Sequence, residues 1–206
     1  MFSPYDTQCY TPFVSTAPLV RPWITYEDLC RLPPDVHRYE ILDGEVYMAA
    51  AYTSFGSPSP GCRHQMLLGQ LLLAFAEAIE DRSEVFPGPL DVLLDEATCL
   101  QPDLIFIAEG NLGVIQEVIR GTPDLIVEIL SPATALRDRS IKVQFYPRHG
   151  ISEYWLVDPE AESIEILRLD PEAGAYRLAF SLRAGDRATT PLVPALVIDL
   201  SQLFQP

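Results

Sequence analysis

A few acidic residues in β-rich surroundings and one lysine are the residues of this chain best suited to chemistry. Glu128 lies inside Leu125-Ile126-Val127-Glu128-Ile129-Leu130. An ionised carboxylate on a strand covered on both faces is costly unless a cation or several donors meet it. Asp103 interrupts the β-rich run Leu100 to Ile107 directly after Pro102. Asp124 also follows a proline and shares the strand face of Glu128, but four residues of strand set the two about 13 Å apart. One ion, with oxygen ligands about 2.0–2.6 Å away, cannot span that gap. Asp103, from another strand, can converge with Glu128 if the strands are neighbours. Lys142 is the sole lysine, the other 13 basic residues being arginines. A compact ammonium can orient or deprotonate a water, and guanidinium does the latter poorly. Each residue also has a plainer reading. The carboxylates could pair with arginine or cap loops, and Asp138 with Lys142 could be an i,i+4 surface pair worth about 0.2–0.5 kcal/mol.

Other chemistries lose ground. The chain has no Gly-rich phosphate loop ending in Lys-Ser/Thr, no Gly-x-Gly-x-x-Gly, no Gly-x-Ser-x-Gly elbow and no His-x-x-x-His. Cys9, Cys30, Cys62 and Cys99 lie far apart, so neither a zinc ribbon nor a redox pair assembles from sequence neighbours. Reduced, partly buried thiols are expected.

The elements that must position these residues can be read from periodicity. Residues 1–23 are rich in Pro, Ser and Thr and read as a loosely ordered arm, followed by one domain over 24–206. Thr25 with Asp28 caps a short helix that Pro33-Pro34 ends. Asp43-Gly44 turns a hairpin between Tyr39-Ile41 and Val46-Met48. Beyond the loop at Phe55 to Gly61, Leu68, Leu71, Leu72, Phe75 and Ile79 recur at helical spacing, so Cys62 to Glu80 is an amphipathic helix. Strands follow at Val85–Leu94, Leu100–Ile107 and Leu125–Leu130, the last being apolar enough for a central position. A helix over Thr134–His149 stops at Gly150, and strands at Glu153–Val157, Ser163–Leu169 and Tyr176–Ser181 complete a mixed α/β order.

The charge of −15 disfavours a bulk electrostatic grip on nucleic acid or an anionic membrane. Residues 119–149 are the exception, with five Lys or Arg against three acids, where residues 1–118 carry five against 17. DNA contact is therefore expected to be local. The N-terminus lacks a signal-peptide pattern, and a cytoplasmic protein is expected.

In order, Tyr39-Glu40-Ile41-Leu42-Asp43-Gly44-Glu45, His64, Gln101-Pro102-Asp103, Glu128-Ile129-Leu130-Ser131-Pro132, Asp138 with Lys142 and Tyr146, and Glu153-Tyr154-Trp155-Leu156-Val157-Asp158-Pro159 resemble the Uma-two family of candidate restriction endonucleases. That family belongs to the PD-(D/E)XK nuclease superfamily. The resemblance covers roughly Thr25 to Leu169 and implies a restriction-endonuclease-like α/β fold, a mixed central sheet flanked by helices with additional C-terminal antiparallel strands. It also implies a site in which Asp103, Glu128 and the carbonyl of Ile129 hold Mg²⁺ or Mn²⁺. Glu40 would be the additional acid. Position 130, where the superfamily usually has its lysine, is Leu, so Lys142 would supply the ammonium from the next helix. Pro147 is expected to kink or end that helix. His64, Arg137 and Arg139 would face the DNA phosphates, while Tyr154 and Trp155 are assigned to packing.

These readings converge on a metal-dependent DNA endonuclease, with a two-fold homodimer favoured if both strands are cut. Two others stay open: a catalytically silent nuclease fold that binds or assembles, and hydrolysis of a small phosphate ester at the same site.

Overall fold

The computed structural model describes residues 23–31, 39–48 and 61–205. The expected arm up to residue 22, the Pro33-Pro34 stop, the loop before Gly61 and Cys9 lie outside the described residues. Helix α1 (Tyr26–Cys30) opens with the Thr25–Asp28 capping box. Strands β1 (Tyr39–Leu42) and β2 (Glu45–Met48) form the hairpin. Its Asp43 and Gly44 have φ of 53° and 74°, the positive pair that a two-residue hairpin turn needs. Helix α2 (Cys62–Ala78) buries Leu67, Leu68, Leu71 and Phe75.

The two runs read as single strands are each broken in two. The first gives β3 (Glu84–Pro87) and β4 (Val92–Asp95), and the second gives β5 (Thr98–Leu100) and β6 (Leu104–Ile107). The halves of each run enter different sheets. Pro89 and Pro102 sit at the breaks and offer no N–H to continue a ladder. The two breaks also touch: Gly88 N–H donates to the Asp103 carbonyl at 2.7 Å, and a Cβ on Gly88 would overlap the Pro102 carbonyl oxygen.

Strands β7 (Ile119–Arg120) and β8 (Leu125–Ile129) follow. The helix expected over 134–149 is segmented into α3 (Ala135–Arg137), a π-helical turn (Asp138–Lys142), α4 (Val143–Phe145) and a 3₁₀ turn (Tyr146–His149), and Gly150 stops it at φ 77°. The chain ends with β9 (Glu153–Asp158), β10 (Ser163–Asp170), β11 (Ala175–Leu182), β12 (Arg187–Thr190), β13 (Val193–Asp199) and α5 (Leu200–Leu203).

A six-stranded mixed sheet runs β11-β10-β9-β8-β6-β3, parallel only at β8–β9, and a five-stranded mixed sheet runs β2-β1-β5-β4-β7. Strands β12 and β13 pair antiparallel as a separate hairpin. Central strand β8 is buried along its length, and its side chains alternate between two cores. Leu125, Val127 and Ile129 join α2, Trp155 and the β13 residues Leu196 and Ile198. Ile126 and Leu130 join Leu42, Leu100, Tyr146 and Tyr154 on the opposite face. By that alternation Glu128 must face the second core, between β1 and the segmented helix.

Among the described residues no helix is long and apolar enough to cross a membrane. Cys30 and Cys62 are exposed and Cys99 is buried, all three as free thiols. The expectation of partial burial therefore fails at the first two.

The contact between the two breaks generates a test. Gly88→Ala should cost about 1–3 kcal/mol, because the new methyl has backbone on the other side and cannot be relieved by a rotamer change. Gly69→Ala, in α2 with open space at its Cβ position, should instead stabilise by about 0.5–1 kcal/mol. Chemical denaturation of both variants checks the pair.

Candidate active site

Local packing explains why Lys142 points inward. The Ser140 hydroxyl donates back to the Leu136 carbonyl, and the Tyr154 hydroxyl of β9 takes the Asp138 carbonyl at 3.2 Å. In an α-helix that carbonyl would accept from the N–H of Lys142. Diverting it favours a wider turn, the usual setting of a π-bulge. The α-helical segment ends at Phe145, and Pro147 lies at the start of the 3₁₀ turn that follows, so the proline ends the regular helix as expected.

Lys142 is 1 % exposed. Its Nζ lies 2.7 Å from Glu128 Oε1, 3.1 Å from Glu40 Oε1 and 3.2 Å from Asp138 Oδ1. An ammonium has three donors, and three carboxylates surround this one. Asp138 and Lys142 are both buried, which removes the surface-pair reading. The Tyr146 hydroxyl also donates to Glu128 Oε1, at 3.2 Å. Glu40 accepts the Gln101 N–H at 3.1 Å on Oε1 and meets the Arg137 guanidinium at 3.2 Å on Oε2.

Asp103 lies at the rim of this cluster. Its Oδ2 accepts the Ile129 N–H at 2.7 Å and lies 3.2 Å from His64 Nε2 on α2. A carboxylate of one broken strand thus touches the backbone directly after Glu128. The remaining oxygens, Asp103 Oδ1 and Glu128 Oε2, have no hydrogen bond among the described residues.

Other residues singled out by sequence go elsewhere. Arg139 bridges Asp158 at 2.9 Å and Glu165 at 2.7 Å, so two carboxylates of the sheet hold it away from the cluster. Arg137 reaches the cluster through Glu40 and lies over the Tyr47 ring. Asp124 accepts from Ala108 N–H and Asn111 Nδ2, capping a loop. Tyr154 and Trp155 are fully buried. Sequence reasoning gave no role to Tyr146 or to the Gln101 backbone; the signal for the first was its place one turn after Lys142.

The family model described as "Putative restriction endonuclease", Uma2, matches residues 23–201. The chain belongs to the Uma2 family. Its fold is similar to the crystal structure of "a putative nuclease belonging to DUF820" from Anabaena variabilis, with a TM-score of 0.67 at 17 % identity, covering 88 % of this chain and 97 % of that one. No curated protein matches the sequence.

Electrostatics in this Uma2 site follow from burial and crowding. Burial pushes the Glu128 carboxyl well above the ordinary range; Lys142 pulls it down, and Asp138, Asp103 and Glu40 push it up again. Burial also acts on Glu40, but the combined pull of Lys142, Arg137 and the Gln101 N–H leaves its carboxyl below the ordinary value. Lys142 loses hydration on burial, yet Asp138, Glu128 and Glu40 hold its ammonium well above the usual range. It is a fixed cation, unsuited to taking a proton from water at neutral pH.

A divalent ion fits this donor set. Four carboxylates face one ammonium and one guanidinium, leaving two formal negative charges. Asp103 and Glu128 each have one oxygen anchored and one without a hydrogen-bond partner among the described residues. Among the described residues no three His, Cys, Asp or Glu side chains group into a ready-made metal cage. Mg²⁺ seldom needs one, since it binds through one or two carboxylates and keeps several waters.

Two outcomes follow for stability. Lys142→Met leaves three buried carboxylates without their shared cation and should cost about 3–5 kcal/mol by denaturation. For Glu128, the folded protein holds a proton that the unfolded chain has released once pH exceeds the ordinary value of 4.5. Its contribution therefore makes stability fall as pH rises from there toward the raised folded value, and Glu128→Gln should flatten that fall. An unchanged slope in a pH series of melting curves would contradict the assignment.

Proposed function

We propose that this chain is a Mg²⁺- or Mn²⁺-dependent endonuclease that hydrolyses DNA phosphodiester bonds, of the restriction type that its family describes. The observation that carries the reading is the union of three features in one cluster: the buried Lys142–Glu128 pair, the Asp103–Ile129 contact beside it, and on each of those two carboxylates an oxygen with no hydrogen-bond partner among the described residues. A fold needs none of these for stability, since buried ion pairs are often replaceable by apolar residues at no loss.

Asp103 and Glu128 would hold the ion, with the Ile129 carbonyl as a further ligand that the family resemblance suggests. Bound there, the ion would polarise the phosphate and lower the pKa of a coordinated water. The chain's own residues set the geometry. Ile129 N–H and His64 fix Asp103 through Oδ2, while Lys142 and Tyr146 fix Glu128 through Oε1. Lys142 acts here as a permanent charge that favours the ionised form of Glu128 and aims it, its Nζ being hydrogen-bonded to Glu128 and Glu40 and lying 3.2 Å from Asp138. His64 and Arg137 are the site's candidates for touching phosphate oxygens. The negative charge of the chain confines DNA contact to such local groups.

Supercoiled plasmid incubated in Mg²⁺ or Mn²⁺ tests the proposal. Wild type should nick or linearise it, chelator should stop the reaction, and Asp103→Asn should slow it by about 10²-fold or more, the loss typical of removing one electrostatic stabiliser. Lys142→Arg should fail to restore activity, since the cavity is shaped for an ammonium with three close carboxylates. No metal-dependent cleavage of any single- or double-stranded DNA would move the reading to a binding module. Cleavage of a chromogenic phosphodiester without DNA cleavage would assign a small phosphate ester.

A further inference from the structure

A chain of hydrogen bonds leaves the candidate site through Glu40 and reaches residues that the proposed chemistry does not use. Glu40 Oε1, which meets Lys142, also accepts the backbone N–H of Gln101. The Gln101 side chain is tied in turn: its Nε2 donates to Asp91 Oδ1 at 2.8 Å. The other oxygen of Asp91 accepts from the Tyr26 hydroxyl of α1 at 3.0 Å. Asp91 immediately precedes β4 and Gln101 immediately follows β5, so the tie joins adjacent ends of two paired strands.

The orientation of this amide is dictated by chemistry. An ionised carboxylate only accepts, so Gln101 must present its NH₂ to Asp91. Its Oε1 is then left buried without a hydrogen-bond partner among the described residues. A group that leaves an acceptor unsatisfied when buried forgoes free energy. The backbone of Gln101 offers a reason to accept that cost. Only Pro102 separates Gln101, whose N–H holds Glu40, from Asp103, whose carboxylate holds the Ile129 N–H. Pro102 between them makes the segment stiff and denies it a ladder hydrogen bond. The far end is fixed by the Gly88 N–H on the Asp103 carbonyl. The near end, at Gln101, is fixed by Asp91.

We infer that Asp91 is a positioning residue: through the Gln101 side chain it sets the place of the Gln101–Asp103 segment and hence the spacing between Glu40 and Asp103 across the site. It touches neither substrate nor ion. The inference rests on the nuclease reading for its catalytic consequence, whereas the mechanical link from Asp91 to Glu40 stands without it.

The experiment exchanges the two ends of the tie. Gln101→Glu sets two carboxylates against each other while keeping the backbone N–H, and Asp91→Asn with Gln101→Glu restores one donor and one acceptor with the same net charge. Gln101→Glu should lower the single-turnover rate of metal-dependent plasmid nicking by roughly tenfold to a hundredfold with little change in DNA affinity, the scale expected from a small misplacement. The exchanged pair should recover most of that rate. Tyr26→Phe, which removes the outer hydrogen bond only, should show a smaller loss of the same kind. A Gln101→Glu rate equal to wild type, a loss confined to DNA affinity, or no recovery in the exchanged pair would overturn the inference.

A second readout covers the case in which the wild type cleaves nothing, which would be a failure of the nuclease reading instead. A double-mutant cycle in denaturation midpoint between Asp91→Asn and Glu40→Gln should be non-additive, since both act on Gln101. Strict additivity would mean that Asp91 does not reach Glu40, and the inference would fall whatever the activity.

Discussion

Burying an ammonium deprives it of hydration worth far more than any one ion pair returns, so the cation survives inside only if its surroundings are strongly and completely negative. Lys142 meets that condition with three carboxylates drawn from three parts of the chain: β1, β8 and its own helical segment. The rest of the architecture can be understood as what brings those three together. Strand β8 must be central and covered on both faces, so that its alternation turns Glu128 toward the segmented helix. The five-stranded sheet must lie against that face, so that β1 delivers Glu40. The π-turn must reroute the Asp138 carbonyl to Tyr154, so that Asp138 and Lys142 both point inward.

The same arrangement leaves the cluster negatively overcharged toward its rim. Lys142 and Arg137 do not balance Glu40, Glu128, Asp138 and Asp103, and the imbalance concentrates on Glu128, whose carboxyl is raised by burial and by three like charges. A site that is merely structural has no reason to keep a fourth carboxylate near the third. Position 130 of the sequence, a leucine, packs in the apolar core beside the cluster, and the positive charge arrives from the helical side. The ammonium therefore approaches Glu128 from a different element than a lysine two residues downstream would use.

Much of this was legible in the sequence for physical reasons. A charged residue within five apolar strand residues demands a partner, and the family resemblance named the chain's single lysine as the cation beside it. The Asp43-Gly44 turn, the Thr25 cap and the α2 stripe are local signals and appear where expected. What failed depends on tertiary contacts. Spacing of i,i+4 is the same on a surface and in a core, so the burial of Asp138 had no sequence signature. The π-turn depends on a hydroxyl from β9, distant in the chain. Val85–Leu94 and Leu100–Ile107 read as single strands across Pro89 and Pro102, and nothing local said that their halves would part into separate sheets. The C-terminal antiparallel strands that the resemblance implied are present as β12 and β13; only their bounds lacked a local signal, since Pro194 lies within β13 and its burial alternates weakly. Arg139 lay in the basic stretch by sequence, yet Asp158 and Glu165 claim it.

In the proposed site Asp103 Oδ1 and Glu128 Oε2, which have no hydrogen-bond partner among the described residues, would face one divalent ion while Lys142 holds the opposite oxygen of Glu128. Anomalous diffraction from crystals grown or soaked with Mn²⁺ measures this directly. The account predicts one strong peak within about 2.0–2.6 Å of Asp103 Oδ1 and Glu128 Oε2, absent in Asp103→Asn, with the Lys142–Glu128 contact retained. A Mn²⁺ peak elsewhere on the acidic surface, or none between these carboxylates at saturating Mn²⁺, would contradict it.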